Sequence, residues 1–142
     1  YFYRWRGKEM PAKRILIIDD DPLIREIVHI CLSEVGDYEA IEAESGREGL
    51  SKAVKEHPDV ILLDLCMPHM NGMEVLQQLQ DCQATQMIPV VVLSAIASQL
   101  NPDRLFKQGV VETIVKPFNC LTLPGRIATA CRWNSEPTAS LS

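Results

Sequence analysis

No two cysteines of this chain are close enough to form a CxxC pair. The five present, Cys31, Cys66, Cys82, Cys120 and Cys131, are odd in number and scattered. Such a set argues against a disulfide framework and against a structural zinc site, so the expectation is free thiols in a reducing, cytoplasmic compartment. No apolar run approaches the ~20 residues that a membrane span needs. The N-terminus lacks the apolar core of a secretory signal, and no internal repeat is visible. Acidic residues outnumber basic ones, for a net charge of −5. No basic field therefore points to nucleic acid or an anionic membrane.

What is present suits one domain with a real core: 142 residues, 46% of them apolar. The two ends differ from the middle. Tyr1-Phe2-Tyr3-Arg4-Trp5-Arg6-Gly7 is rich in aromatics and lacks periodicity, and residues 1–12 read as a non-native extension or a disordered arm. Residues 134–142 are small and polar, as in a disordered tail. The domain is expected over 13–133.

Within it, Val60-Ile61-Leu62-Leu63 runs without a polar break and stops at Asp64. Such a run reads as a strand buried on both faces, the kind that belongs to parallel sheets. Arg14–Ile18 is a second, ending in Asp19-Asp20-Asp21. Pro22 then opens a helix whose apolar positions are Leu23, Ile24, Ile27, Val28, Cys31, Leu32 and Val35, with Gly36 as its stop. Tyr38–Ala43 alternates weakly, as an edge strand would. Ser45-Gly-Arg-Glu48 is a capping box opening a helix with Leu50, Ala53 and Val54 inward. Asn71 with Glu74 caps a third helix. Ile88–Leu93 is a strand ending at Ser94, followed by a loop to a fourth helix near Asn101 that Gly109 closes. Val110 and Val111 open a last strand, Thr113–Val115, ending at Lys116-Pro117. A final helix carries Ile127, Ala128 and Cys131, with Pro124 near its start.

Five β-α units in strict alternation imply an α/β fold, a doubly wound parallel sheet of five strands with five helices. The flavodoxin-like strand order 2-1-3-4-5 sets the first and third strands side by side at the switch point, where ligands bind. Four strand ends then meet on one edge, carrying Asp19 and Asp20, Asp64, Ser94 and Lys116. Each alone is an ordinary cap, turn or solvated lysine. Together they form a carboxylate cluster that needs neutralising: Lys116 supplies one charge and a hard divalent cation, Mg²⁺ or Mn²⁺, would supply the rest. No histidine is expected at a strand terminus. A cation with a lysine and a hydroxyl is what phosphoryl transfer requires, and Asp64, standing centrally, is the best nucleophile.

The motifs Ile17-Ile-Asp-Asp-Asp-Pro22, Leu62-Leu-Asp-Leu-Cys-Met-Pro-His-Met-Asn-Gly72, Val92-Leu-Ser-Ala95 and Val115-Lys-Pro-Phe118 resemble those of response-regulator receiver domains of two-component signalling, over about residues 13–132. The resemblance implies that Asp64 accepts phosphate from a histidine kinase or a phosphotransfer protein. It implies that Asp20, Asp64 and the main-chain carbonyl of Cys66 ligate Mg²⁺, with Asp19 acting through water. Ser94 would hydrogen-bond the phosphoryl group as the switch residue, and Lys116 would pair with it. Asp21 stands at a position the family leaves variable. Thr113 is a departure, because the family has an aromatic there that rotates inward on switching. Cys66 and Ile96 would border the phosphoryl group without orienting a water, so loss of phosphate should be slow.

The implied activity is that of a stand-alone regulator that catalyses its own phosphorylation and dephosphorylation without being an enzyme in the usual sense. It would act on a downstream protein target, and a homodimer through the face of the fourth helix, fifth strand and fifth helix is a further expectation. Two other readings stand beside it. One is a pseudo-receiver that binds partners without carrying phosphate. The other is a haloacid-dehalogenase-like phosphatase with its nucleophile at Asp19, which lacks the later acidic residues and has no use for Asp64.

Overall fold

The computed structural model describes residues 2–5, 8–67, 70–95 and 101–133, with side chains from Pro11 onward. In chain order it holds β1 (Phe2–Trp5), β2 (Lys8–Pro11), β3 (Arg14–Ile18), α1 (Pro22–Ile30), a π-helical turn (Cys31–Val35), β4 (Glu39–Ala43), α2 (Gly46–Glu56), β5 (Val60–Asp64), α3 (Gly72–Asp81), β6 (Val90–Ser94), α4 (Pro102–Lys107), β7 (Val110–Val115) and α5 (Leu123–Ala130). The main sheet is parallel throughout and ordered β4-β3-β5-β6-β7. Counting its strands alone, the order is 2-1-3-4-5, as expected.

The strands are buried on both faces because their side chains alternate between two cores. Leu16, Ile18, Ile61, Leu63, Val90 and Val92 meet Ala53 of α2, Val75, Leu76 and Leu79 of α3, and Leu105 of α4. Ile15, Ile17, Val60, Leu62, Val91 and Leu93 meet Val28, Cys31 and Leu32 on one side and Leu123 and Ile127 of α5. Burying each of the larger side chains contributes about 1.5–3 kcal/mol. Truncation of the fully buried Ile17 to alanine is therefore expected to cost about 2–5 kcal/mol.

The helix starts follow local capping. Side chains of Asp21, Ser45, Asn71 and Asn101 accept from the N–H groups of Leu23, Glu48, Glu74 and Arg104. At its far end α1 departs from the expected regular helix. Gly36 N–H bonds to Cys31 O, a five-residue step, so the last turn is π-helical. The inward face is also narrower than the apolar spacing suggested. Val28, Cys31 and Leu32 are buried, whereas Leu23 is 61% exposed, and Ile27, Val35 and, on α2, Val54 are exposed as well. One helix against one sheet face covers only a stripe at i, i+3 and i+4, and an apolar surplus beyond that stripe must face out.

Two further expectations are corrected. Cys31 and Cys120 form a disulfide, their Cα atoms 5.3 Å apart although 89 residues separate them in sequence. The end of α1 and the segment after β7 pack on the same face of the sheet, and this tertiary proximity leaves no trace in cysteine spacing. Cys66, Cys82 and Cys131 are free thiols. The stretch expected to be a disordered arm holds an antiparallel pair, β1 with β2, in register from Phe2–Pro11 to Trp5–Lys8. Aromatic residues favour the extended backbone such a pair needs. The tail 134–142 lies outside the described residues.

At the exposed edge of β7, Arg126 of α5 donates to the Thr113 carbonyl and to Glu112 Oε2, both at 3.2 Å. Among the described residues no helix is long and apolar enough to cross a membrane.

Candidate functional site

The carboxyl ends of β3, β5 and β6 and the segment after β7 meet at one edge of the sheet. Asp19 directly follows β3, Asp64 and Ser94 close β5 and β6, and Lys116 follows β7. One carboxylate oxygen from each of Asp19, Asp20 and Asp64 lies within 4.8 Å of the others. Lys116 Nζ stands 3.4 Å from Asp19 Oδ2 and 3.6 Å from Asp64 Oδ1. Asp19, Asp64 and Ser94 are buried while Asp20 is exposed. The cluster is a cup with a closed floor and one carboxylate at its rim.

The supporting hydrogen bonds explain why the buried carboxylates hold still. Asp19 Oδ1 accepts from Asp21 N–H at 2.9 Å, and Asp19 N–H donates to Ala43 O at 3.2 Å. Asp64 Oδ1 accepts from Cys66 N–H at 3.1 Å. Lys116 N–H donates to Ser94 O at 2.8 Å, tying the β7 end to the β6 end. Gly72 completes the floor. Its N–H bonds to Leu65 O, and a Cβ there would collide with the Leu65 backbone and stand 2.8 Å from Asp64 O. The glycine of the Asn71-Gly72 pair therefore permits a close approach of α3 to the acceptor turn.

Burial pushes the Asp64 carboxyl above the ordinary carboxylate range. The neighbouring Asp19 and Asp20 charges push the same way, while the Cys66 N–H and Lys116 oppose them. One ammonium does not neutralise three carboxylates. The donor set is all oxygen and carries surplus negative charge, which fits a hard divalent cation such as Mg²⁺ or Mn²⁺ and does not fit zinc. Asp20, at the rim, is open to a hydrated ion, and Asp64 faces it across the cup.

All the expected strand-end residues thus come together. Cys66 is exposed two residues past Asp64, so its carbonyl belongs to the same turn. Thr113 does not share the cup. It is half-buried in β7 and lines a cleft of about 200 Å³ with Pro102, Leu105, Phe106, Val110, Val111 and Glu112. A threonine leaves open space between α4 and β7 on this side. Residues 96–100, Ile96 among them, lie outside the described residues. Sequence reasoning missed Arg25, which reaches back from α1 to the Asp19 carbonyl. The only signal was an arginine one turn into a helix that starts beside the acidic triplet.

Comparison with known proteins agrees with this geometry. A family profile described as the response regulator receiver domain matches residues 15–128. Among curated proteins, the chain is 37% identical over 119 residues to the DNA-binding dual master transcriptional regulator RpaA of Synechocystis, covering 84% of this chain and 49% of that one. It is 38% identical over 123 residues to the transcriptional regulatory protein ResD of Bacillus subtilis, covering 87% and 50%. The chain spans about half the length of these relatives. Among solved structures, chemotaxis protein CheY4 of Vibrio cholerae superposes with a TM-score of 0.74 at 31% identity, over 84% of this chain and 98% of that one. A CheY-like receiver domain protein of Methanospirillum hungatei gives 0.75 at 30%, over 86% and 95%.

Proposed function

We propose that this chain, which belongs to the response-regulator receiver-domain family, is a phosphorylation switch whose acceptor is Asp64. Receiver domains are signalling modules that bind Mg²⁺ in an acidic pocket, and the Asp19, Asp20 and Asp64 cup is that pocket here. The observation that carries the proposal is the placing of the Asp64 carboxylate between an ammonium at 3.6 Å and two further carboxylates. An anion so crowded gains most from a bound cation, and the exposed Asp20 leaves the cluster open to one on its rim.

In the proposed reaction an Asp64 oxygen attacks the phosphorus of a phosphohistidine on a kinase or phosphotransfer protein. The P–O bond forms as the P–N bond breaks, and the imidazole leaves with its electron pair. The bound cation would neutralise charge on the phosphoryl oxygens, with Asp20, Asp64 and the Cys66 carbonyl holding it and Asp19 acting through water. Lys116, released from part of its pairing with Asp64 as that carboxylate becomes an acyl phosphate, turns its charge to the phosphoryl group. The Ser94 hydroxyl donates to a phosphoryl oxygen, drawing the end of β6 inward. With Thr113 in place of an aromatic, the cleft beside α4 is free to close without a ring moving into it. A Cys66 side chain that orients no water leaves the acyl phosphate long-lived.

Two outputs are carried forward. The first is a stand-alone regulator that switches contacts with a protein target, or with a second copy through the face of α4, β7 and α5. The second is a receiver portion that governs DNA binding in a longer regulator. It is favoured by the RpaA likeness and by relatives twice as long.

Intact-mass analysis after incubation with acetyl phosphate and Mg²⁺ tests the acceptor. A single phosphate adduct is expected, lost with EDTA and lost in Asp64→Asn. An adduct that survives in Asp64→Asn but not in Asp19→Asn would return the haloacid-dehalogenase reading. Absence of both adduct and Mg²⁺ binding would leave a pseudo-receiver.

A further inference from the structure

Every hydrogen-bonding group of Asp19 is engaged. Its N–H is held by Ala43 O, its carboxylate oxygens by Asp21 N–H and Lys116, and its carbonyl by Arg25, whose Nη1 donates to it at 2.8 Å. Arg25 is itself fixed. Its side chain is 13% exposed, and its Nε donates to Glu42 Oε1 at 3.2 Å. Glu42 in turn meets His29 Nδ1 at 2.7 Å through its other oxygen, and its carbonyl accepts from Lys52 Nζ at 2.5 Å. The guanidinium of α1 thus ties the end of β3 to β4, and Glu42 is held in turn by His29 of α1 and Lys52 of α2.

We propose that Arg25 is a positioning residue for the cation site, acting by locking the peptide plane between Asp19 and Asp20. The inference rests on the Mg²⁺-dependent reading above. Asp20 is the exposed member of the cup, and the direction of its side chain is set by the backbone that carries it. The carbonyl of Asp19 and the N–H of Asp20 share one rigid plane. A guanidinium that holds that carbonyl toward α1 therefore fixes where Asp20 leaves the chain, and so the bite between Asp20 and Asp64. A planar two-sided donor is needed, because one arm must reach Asp19 while another stays on Glu42.

The sign of the effect separates positioning from charge. Arg25 is a cation close to a cation site, so electrostatics alone would make its removal tighten Mg²⁺ binding. Positioning makes its removal weaken binding, by about tenfold, as when outer partners of metal ligands are lost.

Calorimetric titration of wild type, Arg25→Gln and Arg25→Lys with MgCl₂, beside thermal unfolding in EDTA, decides between them. Weaker Mg²⁺ binding is expected in both variants, with the smaller loss in Arg25→Lys, which reaches one acceptor. Phosphorylation by acetyl phosphate should slow at low Mg²⁺ and recover when Mg²⁺ saturates, a change in the Mg²⁺ midpoint and not in the maximal rate. Equal or tighter Mg²⁺ binding in Arg25→Gln would overturn the proposal, whatever its unfolding temperature. If Arg25→Gln does not fold, an unchanged Mg²⁺ affinity in Arg25→Lys overturns it equally. Wild type that binds no Mg²⁺ would overturn the reading of the site itself and this inference with it.

Discussion

Replacing Asp64 by asparagine should make the metal-free protein more stable, although it deletes the residue around which the site is built. Asp64 is 4% exposed. Each carboxylate repulsion across 4.8 Å costs about 3.5 kcal/mol at an effective dielectric of about 20, and two act on Asp64. Lys116 at 3.6 Å returns about 4.6 kcal/mol on the same scale. Solvent screens the share of the exposed Asp20, and desolvation of Asp64 adds to the cost, so a net penalty of about 1–2 kcal/mol remains. Asparagine removes the charge and keeps the acceptor for Cys66 N–H. The unfolding midpoint in EDTA at neutral pH should rise by about 4 °C for each kcal/mol.

The pH dependence has a definite sign. The folded chain holds the Asp64 proton to higher pH than the unfolded chain. Between the ordinary carboxylate range and the raised value the native state binds more protons, so stability falls as pH rises through that window. Below the window the penalty is absent, and above it wild type carries all of it. Asp64→Asn should lack this component of the slope. Added Mg²⁺ at about 100 times its Kd should stabilise wild type by about 2.7 kcal/mol and the variant much less. Differential scanning calorimetry across pH, with EDTA and with Mg²⁺, supplies all three comparisons. A variant less stable than wild type in EDTA, or one equally stabilised by Mg²⁺, would refute the reasoning.

Lys116→Ala should destabilise the metal-free chain by about 3–5 kcal/mol, since the buried Asp19 carboxylate loses its ammonium partner at 3.4 Å, and Mg²⁺ should restore part of the loss in urea titrations. Gly72→Ala should cost at least about 2 kcal/mol and slow phosphorylation, because its methyl would displace the Asp64–Leu65 turn; a variant with wild-type midpoint and rate would count against the close approach. Ser94→Ala should still yield the phosphate adduct while losing the phosphorylation-induced change in hydrogen exchange at the end of β6. Thiol counting on the denatured, unreduced chain should find three thiols, not five. In the native chain Cys66 should label first and Cys131 last, its thiol pushed up to about 11, chiefly by burial.

The strand-end residues were legible because they sit where long apolar runs stop. Asp64 after Val60–Leu63, Ser94 after Val90–Leu93 and Lys116 after β7 each mark the end of a buried strand, and parallel topology brings such ends to one edge without further information. The caps Ser45 and Asn71 were equally readable, as their effect is local, whereas Asp21 and Asn101 emerged as caps only in the structure. What escaped depends on contacts between distant elements. Arg25 reads as a solvated helix arginine until α1 is seen to lie against β4 and Glu42. Cys31 and Cys120 carry no spacing signal across 89 residues. Leu23, Ile27 and Val35 satisfy helical spacing yet face outward, because periodicity marks an apolar stripe but not how much of it one sheet face can cover. The β1–β2 pair was hidden by the absence of alternation.

A parallel sheet with two open edges is a template on which another chain can grow. β4 guards its edge with Glu39 and Glu42, both held by side chains of their own fold. At the other edge Val111 and Val115 are exposed and apolar, the composition that invites a foreign strand. There Arg126 already occupies the Thr113 carbonyl and sets a charge beside it. An incoming strand would have to displace a guanidinium to begin pairing. One arginine on a neighbouring helix thereby closes the point on this edge where a foreign strand would first pair.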